Sequence, residues 1–188
     1  MTPAAPSKTA KRILDMAYVA MFAALIAVCS WISIPTQVPF TLQTFAVFCA
    51  VGLLGGKRGT LAILVYLLLG AVGVPVFAGF SGGMGVLLGT TGGYLIGFLF
   101  TALAYWLIVK LLGKKWWSQL IAMAAGLIVC YTFGTAWFMI VYARTAGAIG
   151  LATALGWCVV PFILPDLLKI AAALFISVRV PRYVRIFD

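Results

Sequence analysis

Long apolar runs follow one another along almost the whole chain, and short connections separate them. A helix needs about 20 mostly apolar residues to span a membrane. We predict six such segments, at about 13–34, 41–55, 59–72, 90–112, 117–142 and 152–178. The second and third are short, so they either span or form an interfacial or re-entrant hairpin, and Lys57 and Arg58 favour a turn in water between them. The sequence therefore predicts an all-α integral membrane protein with six transmembrane helices.

The composition agrees with this class and excludes several others. The chain is 65% hydrophobic and 9% charged, which is more apolar surface than a soluble domain of 188 residues can bury. The net charge of +10 comes from residues between the apolar runs rather than from one aromatic-rich patch, which argues against nucleic-acid binding. The four cysteines lie in apolar runs, and the chain has no histidine and no glutamate. We therefore expect packing cysteines, no metal site, no cofactor and no enzymatic activity.

The distribution of basic residues predicts the orientation in the membrane. With a cytoplasmic N-terminus, all but two of the 13 lysines and arginines lie on the cytoplasmic side, and the exceptions are Arg144 outside and Lys169 within the membrane. We predict one membrane domain over 1–188, with a cytoplasmic tail at 1–12, a six-helix core at 13–178 and a second cytoplasmic tail at 179–188. The first apolar run continues past a signal-peptide length, so we expect a retained helix.

Half of the 20 glycines lie in one uncharged stretch from Gly70 to Gly97, which joins the third and fourth segments on the predicted outer side. Glycines let a backbone approach a ligand closely, and Phe77, Phe80 and Tyr94 add flat apolar walls. Irregular backbone at membrane depth is tolerated where protein buries it or where it lines a cavity. The stretch is therefore either a compact structural loop over short helices or part of a ligand pocket.

Asp166 and Lys169 are the charged pair predicted to lie within the membrane. They are three residues apart, so a helix places them on one face, and each costs about 2.5–3.5 kcal/mol at a helix centre. Pro161 and Pro165 remove two amide donors just before the pair. The pair either neutralises itself and fixes helix packing or binds a polar ligand, and we favour binding because an isolated ion pair is a poor stabiliser.

Other polar residues are predicted on the same outer side. The connections contribute Gln37, Thr41, Gln43, Thr44, Ser81, Thr90, Thr91 and Tyr94. Thr41 can also cap the second helix. Such a site suits a small, partly apolar, hydrogen-bonding molecule that carries a carboxylate, and the residue types alone do not name it.

Three motifs carry a resemblance to a known family. In order they are "VPFTLQTFAV", "YLLLGAVGVPVFAGFSGGMGVLLGTTGGYLIGF" and "PFILPDLLK", and they cover the chain from about Val38 to Lys169. Together they resemble the BioY family, the biotin-specific S components of energy-coupling factor (ECF) transporters. Thr90 stands where the family usually has proline, and Pro165 where it usually has glycine.

The resemblance implies high-affinity biotin binding on the outer face and biotin uptake, in a bacterial or archaeal plasma membrane. It implies two kinds of partner, a transmembrane coupling protein (EcfT-like) and a pair of cytoplasmic ATPases that hydrolyse ATP. It also implies a coupling interface on the first helix, where alanines four apart let helices approach closely. That interface would use Ala20 and Ala24, with Ala23 and Ala27 in a second register. The alternative is a solitary secondary transporter or channel for a small carboxylate-bearing molecule.

The resemblance also transfers substrate-binding residues onto this sequence. The main candidates are Gln43, Phe77, Gly82, Gly83, Tyr94, Asp166 and Lys169, and the weaker ones are Thr44, Thr91 and Arg144. We expect Lys169 to meet the biotin carboxylate and Asp166 a ureido N–H. The reverse arrangement, with Lys169 at the ureido carbonyl, stays open, and Arg144 is a reserve partner for the carboxylate.

Overall fold

The computed structural model describes residues 8–36 and 38–183, and these form an almost entirely helical chain. The elements in order are α1 (Lys8–Trp31), β1 (Ser33–Ile34), β2 (Phe40–Thr41), α2 (Gln43–Ala71), a 3-10 turn (Ala78–Phe80), α3 (Met84–Leu88), α4 (Gly92–Leu112), α5 (Trp116–Thr145), α6 (Leu151–Cys158) and α7 (Val160–Tyr183). The predicted all-α class is confirmed. Gln37 and the outer parts of both predicted tails, at 1–7 and 184–188, lie outside the described residues.

Helix ends differ from the hydropathy segments in a systematic way. The first helix begins at Lys8 and the last ends at Tyr183, both inside the stretches predicted as tails. Hydropathy stops a segment at its first charges, whereas a helical backbone continues through lysine and arginine, which are good helix formers. The predicted segment 152–178 is instead divided at Val159, whose φ of −125° and ψ of −55° separate α6 from α7. The division falls just before Pro161, which is accepted in the first turn of the helix that follows.

Five helical stretches among residues 8–36 and 38–183 are long and apolar enough to cross a membrane. They are α1, α2, α4, α5 and the stretch Leu151–Val180, which joins α6 to most of α7. This supports a multi-pass membrane protein. The count of six spans stays a prediction, because it requires both halves of α2 to cross.

The second helix, α2, doubles back on itself at Gly55. That residue has φ of 79° and ψ of 168°, a conformation that favours glycine. Gly59 then packs against Val51, and the Gln43 side chain lies 2.8 Å from the Tyr66 hydroxyl. In one straight helix Gln43 and Tyr66 would be about 34 Å apart. The legs 43–54 and 56–71 are therefore the two separate short segments, with the turn at the predicted "GGKRG".

Several basic connections meet at the turn of α2. A guanidinium nitrogen of Arg58 lies 2.8 Å from the Asp15 carboxylate near the start of α1. Burial and the nearby Arg58 charge lower the pKa of Lys114, in the connection between α4 and α5. Three elements thus bring their charges to one end of the helix bundle. Its assignment to the cytoplasm remains a prediction.

The opposite end of the bundle positions the site. The β1–β2 ribbon pairs Ser33 with Thr41 and Ile34 with Phe40, and it leads directly into the first leg of α2. Leu42 is the N-cap residue of α2 and makes no side-chain capping hydrogen bond, so the predicted Thr41 cap is wrong. The Thr41 hydroxyl instead accepts from the N–H of Gln43, the first residue of α2, at 3.2 Å. The helix α2 packs against α1, α4 and α7. This arrangement holds residues 40–44 against the beginning of α7.

Candidate functional site

A cavity of about 210 Å³ lies at the end of the bundle away from Gly55. It lies between the residues that begin α2, α4 and α7, the middle of α5 and the glycine-rich connection. Its polar lining consists of Thr41, Gln43, Thr44, Ser81, Thr91, Tyr94, Tyr131, Asp166 and Lys169. Its apolar lining includes Phe77, Val86, Leu95, Phe98, Leu127, Cys130, Cys158 and Phe162. An apolar enclosure with a few convergent polar groups is typical of a small-molecule site.

The predicted ion pair forms one wall of this cavity. Lys169 Nζ lies 2.7 Å from Asp166 Oδ1, and the residues are 7% and 3% exposed. They follow Pro161 and Pro165 on the first turns of α7, so the helix presents both charges on its inner face. The pair neutralises itself, which lowers the cost of placing two charges in an apolar core.

Lys169 is held from three directions. Besides the Asp166 carboxylate, its ammonium donates to the Thr41 carbonyl at 2.7 Å. It also lies 4.5 Å from the centroid of the Phe40 ring, within the range of a cation–π interaction. An ammonium has three N–H donors, and three electron-rich groups of the protein surround this one. The charge is thus fixed in place by the β2 strand and its own helix.

Tyr131 on α5 holds the other half of the pair. Its hydroxyl donates to Asp166 Oδ2 at 2.6 Å, and this distance fits a hydrogen bond to an ionised carboxylate. Sequence reasoning missed this residue because it lies in the long apolar run of α5. The one sequence feature that could have indicated Tyr131 is weak: a buried tyrosine hydroxyl usually needs a hydrogen-bond partner, but the sequence does not show which one.

Gln43 and Tyr94, both predicted, line the cavity with side chains that are themselves anchored. The Gln43 side-chain amide donates to the Tyr66 hydroxyl, and the Tyr94 hydroxyl lies 2.8 Å from the Thr135 hydroxyl. The Tyr94 ring lies flat against Gly134, where a β-carbon would overlap it. Both polar groups are therefore held in fixed positions before any ligand arrives.

The glycine-rich connection folds tightly over the helix ends. The Ser30 hydroxyl donates to the Val76 carbonyl at 2.6 Å, and the Trp31 indole donates to the Pro75 carbonyl at 2.9 Å. Phe77 is 1% exposed and packs edge-on against Tyr66, with ring centroids 5.5 Å apart. The stretch is therefore a compact loop that also forms one wall of the cavity, and its part in ligand binding stays a prediction.

The remaining site candidates divide into two groups. Thr44 and Thr91 line the cavity, as does Ser81. Gly82 and Gly83 do not. Gly82 faces the Val74 carbonyl, and the Gly83 N–H donates to the Gly70 carbonyl at 2.7 Å, so both residues shape the loop.

Arg144 and the four cysteines differ in their relation to the cavity. Arg144 lies exposed in the last turn of α5 and is not part of the lining. The four cysteines are all buried, as expected of packing residues. Cys130 and Cys158, however, pack against the cavity and form part of its apolar wall, which sequence reasoning did not foresee.

The two alanine registers of α1 differ in burial. Ala23 and Ala27 are buried in the protein core, whereas Ala20 and Ala24 are exposed. Ala20 also lines a surface groove beside the turn of α2. The exposed register is therefore the one that can meet another transmembrane helix.

We expect Tyr131→Phe to weaken ligand binding about tenfold, because losing a hydrogen bond to a charged group costs about 1.5–3 kcal/mol and frees the Asp166 carboxylate to turn. Equilibrium binding and thermal unfolding in detergent would be measured together. Tyr142→Phe, on the same helix but outside the lining, is the control. Equal affinities in the two variants would show that Tyr131 does not position the carboxylate.

Comparison with known proteins assigns the family. Residues 4–186 match the model of the BioY family. The chain is 43% identical over 165 residues to "Biotin transporter BioY" of Thermotoga maritima, covering 86% of this chain and 92% of that one. It is 41% identical over 166 residues to "Probable biotin transporter BioY" of Pyrococcus horikoshii, covering 88% and 94%.

A solved structure gives the same assignment. It is titled "Crystal structure at 2.1 A of the S-component for biotin from an ECF-type ABC transporter". The two chains superpose with a TM-score of 0.82 over 95% of each, at 30% sequence identity. The chain therefore belongs to the BioY family.

Proposed function

We infer that this protein binds biotin and takes it up as the substrate-specific subunit of an ECF-type transporter. Family membership makes it a transport protein rather than an enzyme. The observation that carries the choice of ligand is the Asp166–Lys169 pair, held by Tyr131 at one wall of a mostly apolar cavity. A neutral ion pair offers an acceptor and a donor side by side, which is what a ureido group requires.

The arrangement of biotin follows from the contacts of the pair. Each carboxylate oxygen of Asp166 accepts one protein hydrogen bond and has a further lone pair for a ureido N–H. Lys169 already donates to Asp166 and to the Thr41 carbonyl, which leaves one N–H of its ammonium for a ligand acceptor. The Asp166 carboxylate already neutralises this ammonium, so a neutral ureido carbonyl suits the remaining N–H better than a second carboxylate. This favours Lys169 beside the ureido carbonyl, the arrangement that the residue types left open. We propose that the carboxylate points towards the hydroxyls of Thr44 and Thr91, because the Ser81 hydroxyl already donates to the Ala78 carbonyl.

The apolar part of biotin has a matching surface. The cavity has flat or branched apolar walls, provided by Phe77, Phe98, Leu127 and Phe162. Burial of apolar surface is worth about 25 cal/mol per Å², so these walls supply much of the binding free energy. The fixed polar groups then decide which small molecule is accepted.

The test compares three ligands by equilibrium binding to the detergent-solubilised protein. Biotin should bind. Lipoate, which shares the valerate tail but lacks the ureido ring, should bind at least about 100-fold more weakly, because the Asp166–Lys169 wall loses its partner. The primary amide of biotin should lose less than about tenfold if the carboxylate meets only hydroxyls. No biotin binding by a folded, monodisperse protein would refute the proposed ligand, and a loss with the amide as large as that with lipoate would refute the orientation.

We propose that energy comes from separate subunits, a transmembrane coupling protein and a pair of cytoplasmic ATPases, at the plasma membrane. The comparison structure is titled an S-component of such a transporter. The basic end of the bundle would face the cytoplasm, because lysine and arginine concentrate there. Vesicles that contain this protein alone should not accumulate biotin, and accumulation without the ATPases would instead favour a solitary transporter.

We expect Ala20→Trp and Ala24→Trp to lower co-purification of the coupling protein at least about fivefold, since close helix approach in a membrane needs small side chains. Biotin binding should be unchanged because neither residue lines the cavity. Met21→Trp, at the exposed position next to Ala20 on the same helix, is the matched control. Normal assembly of both alanine variants at normal expression would exclude this register as the interface.

A further inference from the structure

A second concave surface lies between α5 and α7, on the outside of the bundle and separate from the biotin cavity. This groove has a volume of about 460 Å³. Its lining is Trp116, Leu120, Leu167, Ile170, Ala171, Leu174, Phe175, Val178 and Arg179. Ile170 is buried at its floor, whereas Leu167 and Phe175 are exposed. The groove is therefore an apolar furrow on the protein surface that is open to the surroundings, and Arg179 is the single charged residue in its lining.

The length of the groove matches one leaflet of a bilayer. From Leu167 to Arg179 the helix rises roughly 18 Å, and half of the hydrocarbon core measures about 15 Å. Trp116 lies at the same end of the groove as Arg179, because α5 begins there and α7 approaches its own end. Tryptophan and arginine are residues of the membrane–water boundary. The charged end thus belongs at headgroup level and the apolar part at the level of the acyl chains.

In the described part of the chain, the positive charge at this end of the groove has no acidic partner. Arg179 is exposed, and its guanidinium lies 5.2 Å from the centroid of the Phe175 ring. Lys115 directly precedes Trp116 and adds a second exposed cation at the start of α5. Within residues 8–36 and 38–180, the acids are Asp15 and Asp166, and both form ion pairs elsewhere. An anion from outside the described residues would complement this end.

We propose that the groove between α5 and α7 binds a phospholipid with an anionic headgroup. One acyl chain lies along the apolar floor, and the phosphate lies against Arg179 with Lys115 nearby. Basic pockets between transmembrane helices bind anionic lipids by this combination of charge and apolar fit. Basic residues near an anionic surface attract anionic lipids, so Arg179 and Lys115 should separate anionic from zwitterionic lipids. The charge at one end favours a lipid over an uncharged helix face of a partner or of a second copy.

The test is native mass spectrometry of the full chain released from nanodiscs that contain equal amounts of phosphatidylglycerol and phosphatidylcholine. The wild type should retain phosphatidylglycerol at least about fivefold over phosphatidylcholine, as expected for a charge-specific site. Arg179→Gln should reduce this to near equality. Ala171→Trp, which fills the groove, should reduce retention of both lipids. Arg144→Gln removes an exposed arginine remote from the groove and should change nothing.

Biotin binding serves as the folding control, since neither Arg179 nor Ala171 lines the biotin cavity. Equal retention of the two lipids by the wild type would overturn the proposal, as would full phosphatidylglycerol retention by Arg179→Gln. A second copy or the coupling protein bound in place of lipid, and lost in Ala171→Trp, would also overturn it. If Ala171→Trp does not fold, the exposed Arg179→Gln decides the matter alone.

Discussion

Lys169→Ala is expected to weaken biotin binding by at least about 100-fold, equivalent to about 2.7 kcal/mol. The variant removes the ammonium that donates to Asp166 and to the Thr41 carbonyl, and it leaves a buried carboxylate without its counter-charge. Breaking a buried ion pair on one side costs about 3–5 kcal/mol. The thermal unfolding temperature in detergent should therefore fall as well. Equilibrium biotin binding and thermal unfolding measure the two effects separately.

A charge-neutral double variant separates recognition from stability. Asp166→Asn with Lys169→Met removes both charges, so the unfolding temperature should return to near that of the wild type, because an apolar replacement of a buried pair is often neutral. Biotin binding should stay as weak as in Lys169→Ala. Lys115→Met, at an exposed position outside the cavity, is the matched lysine control. A double variant that binds biotin like the wild type would show that the pair is structural.

The parts of the site that could be predicted are those with an unusual residue type. A charge within an apolar run is rare and costly, so Asp166 and Lys169 can be identified as candidate site residues from the sequence alone. Glycine clustering likewise marks the loop that carries Phe77. Tyr131, Cys130 and Cys158 have no such signal, because aromatic residues and cysteines are common in membrane helices that merely pack. Their role depends on how α5 and α6 turn towards α7, which is a property of tertiary packing.

In the fold, too, some features could be predicted from the sequence and others could not. Hydropathy predicts which stretches are helical, and "GGKRG" predicts the turn at Gly55 because two charges there avoid lipid. Hydropathy does not show the division at Val159 or the short helix Met84–Leu88, since both lie within apolar sequence. It also leaves both alanine registers of α1 open, and only packing against the core shows that Ala23 and Ala27 face inward.

Gly70→Ala is expected to weaken biotin binding by about 30-fold, or about 2 kcal/mol, although it adds a single methyl group. A β-carbon at Gly70 would overlap the outer end of the Phe77 ring, so the ring must leave its buried position or the loop must move. Phe77 lines the cavity and packs against Tyr66, whose hydroxyl accepts from Gln43. One displacement therefore disturbs an apolar wall and a polar anchor together. The affinity and the dissociation rate of biotin measure the loss.

Gly85→Ala is the matched control for this prediction. Gly85 lies in the same connection, on α3. Apart from its chain neighbours and the backbone of its own helix, no described atom lies within 4 Å of a β-carbon built there. Alanine is the better helix former, so this variant should bind biotin normally and be no less stable. The two substitutions are chemically identical, and they differ in whether the added methyl group meets Phe77. Normal affinity in a folded Gly70→Ala protein would mean that the loop adjusts freely, and Phe77 would then be a cover for the helix ends rather than a binding wall.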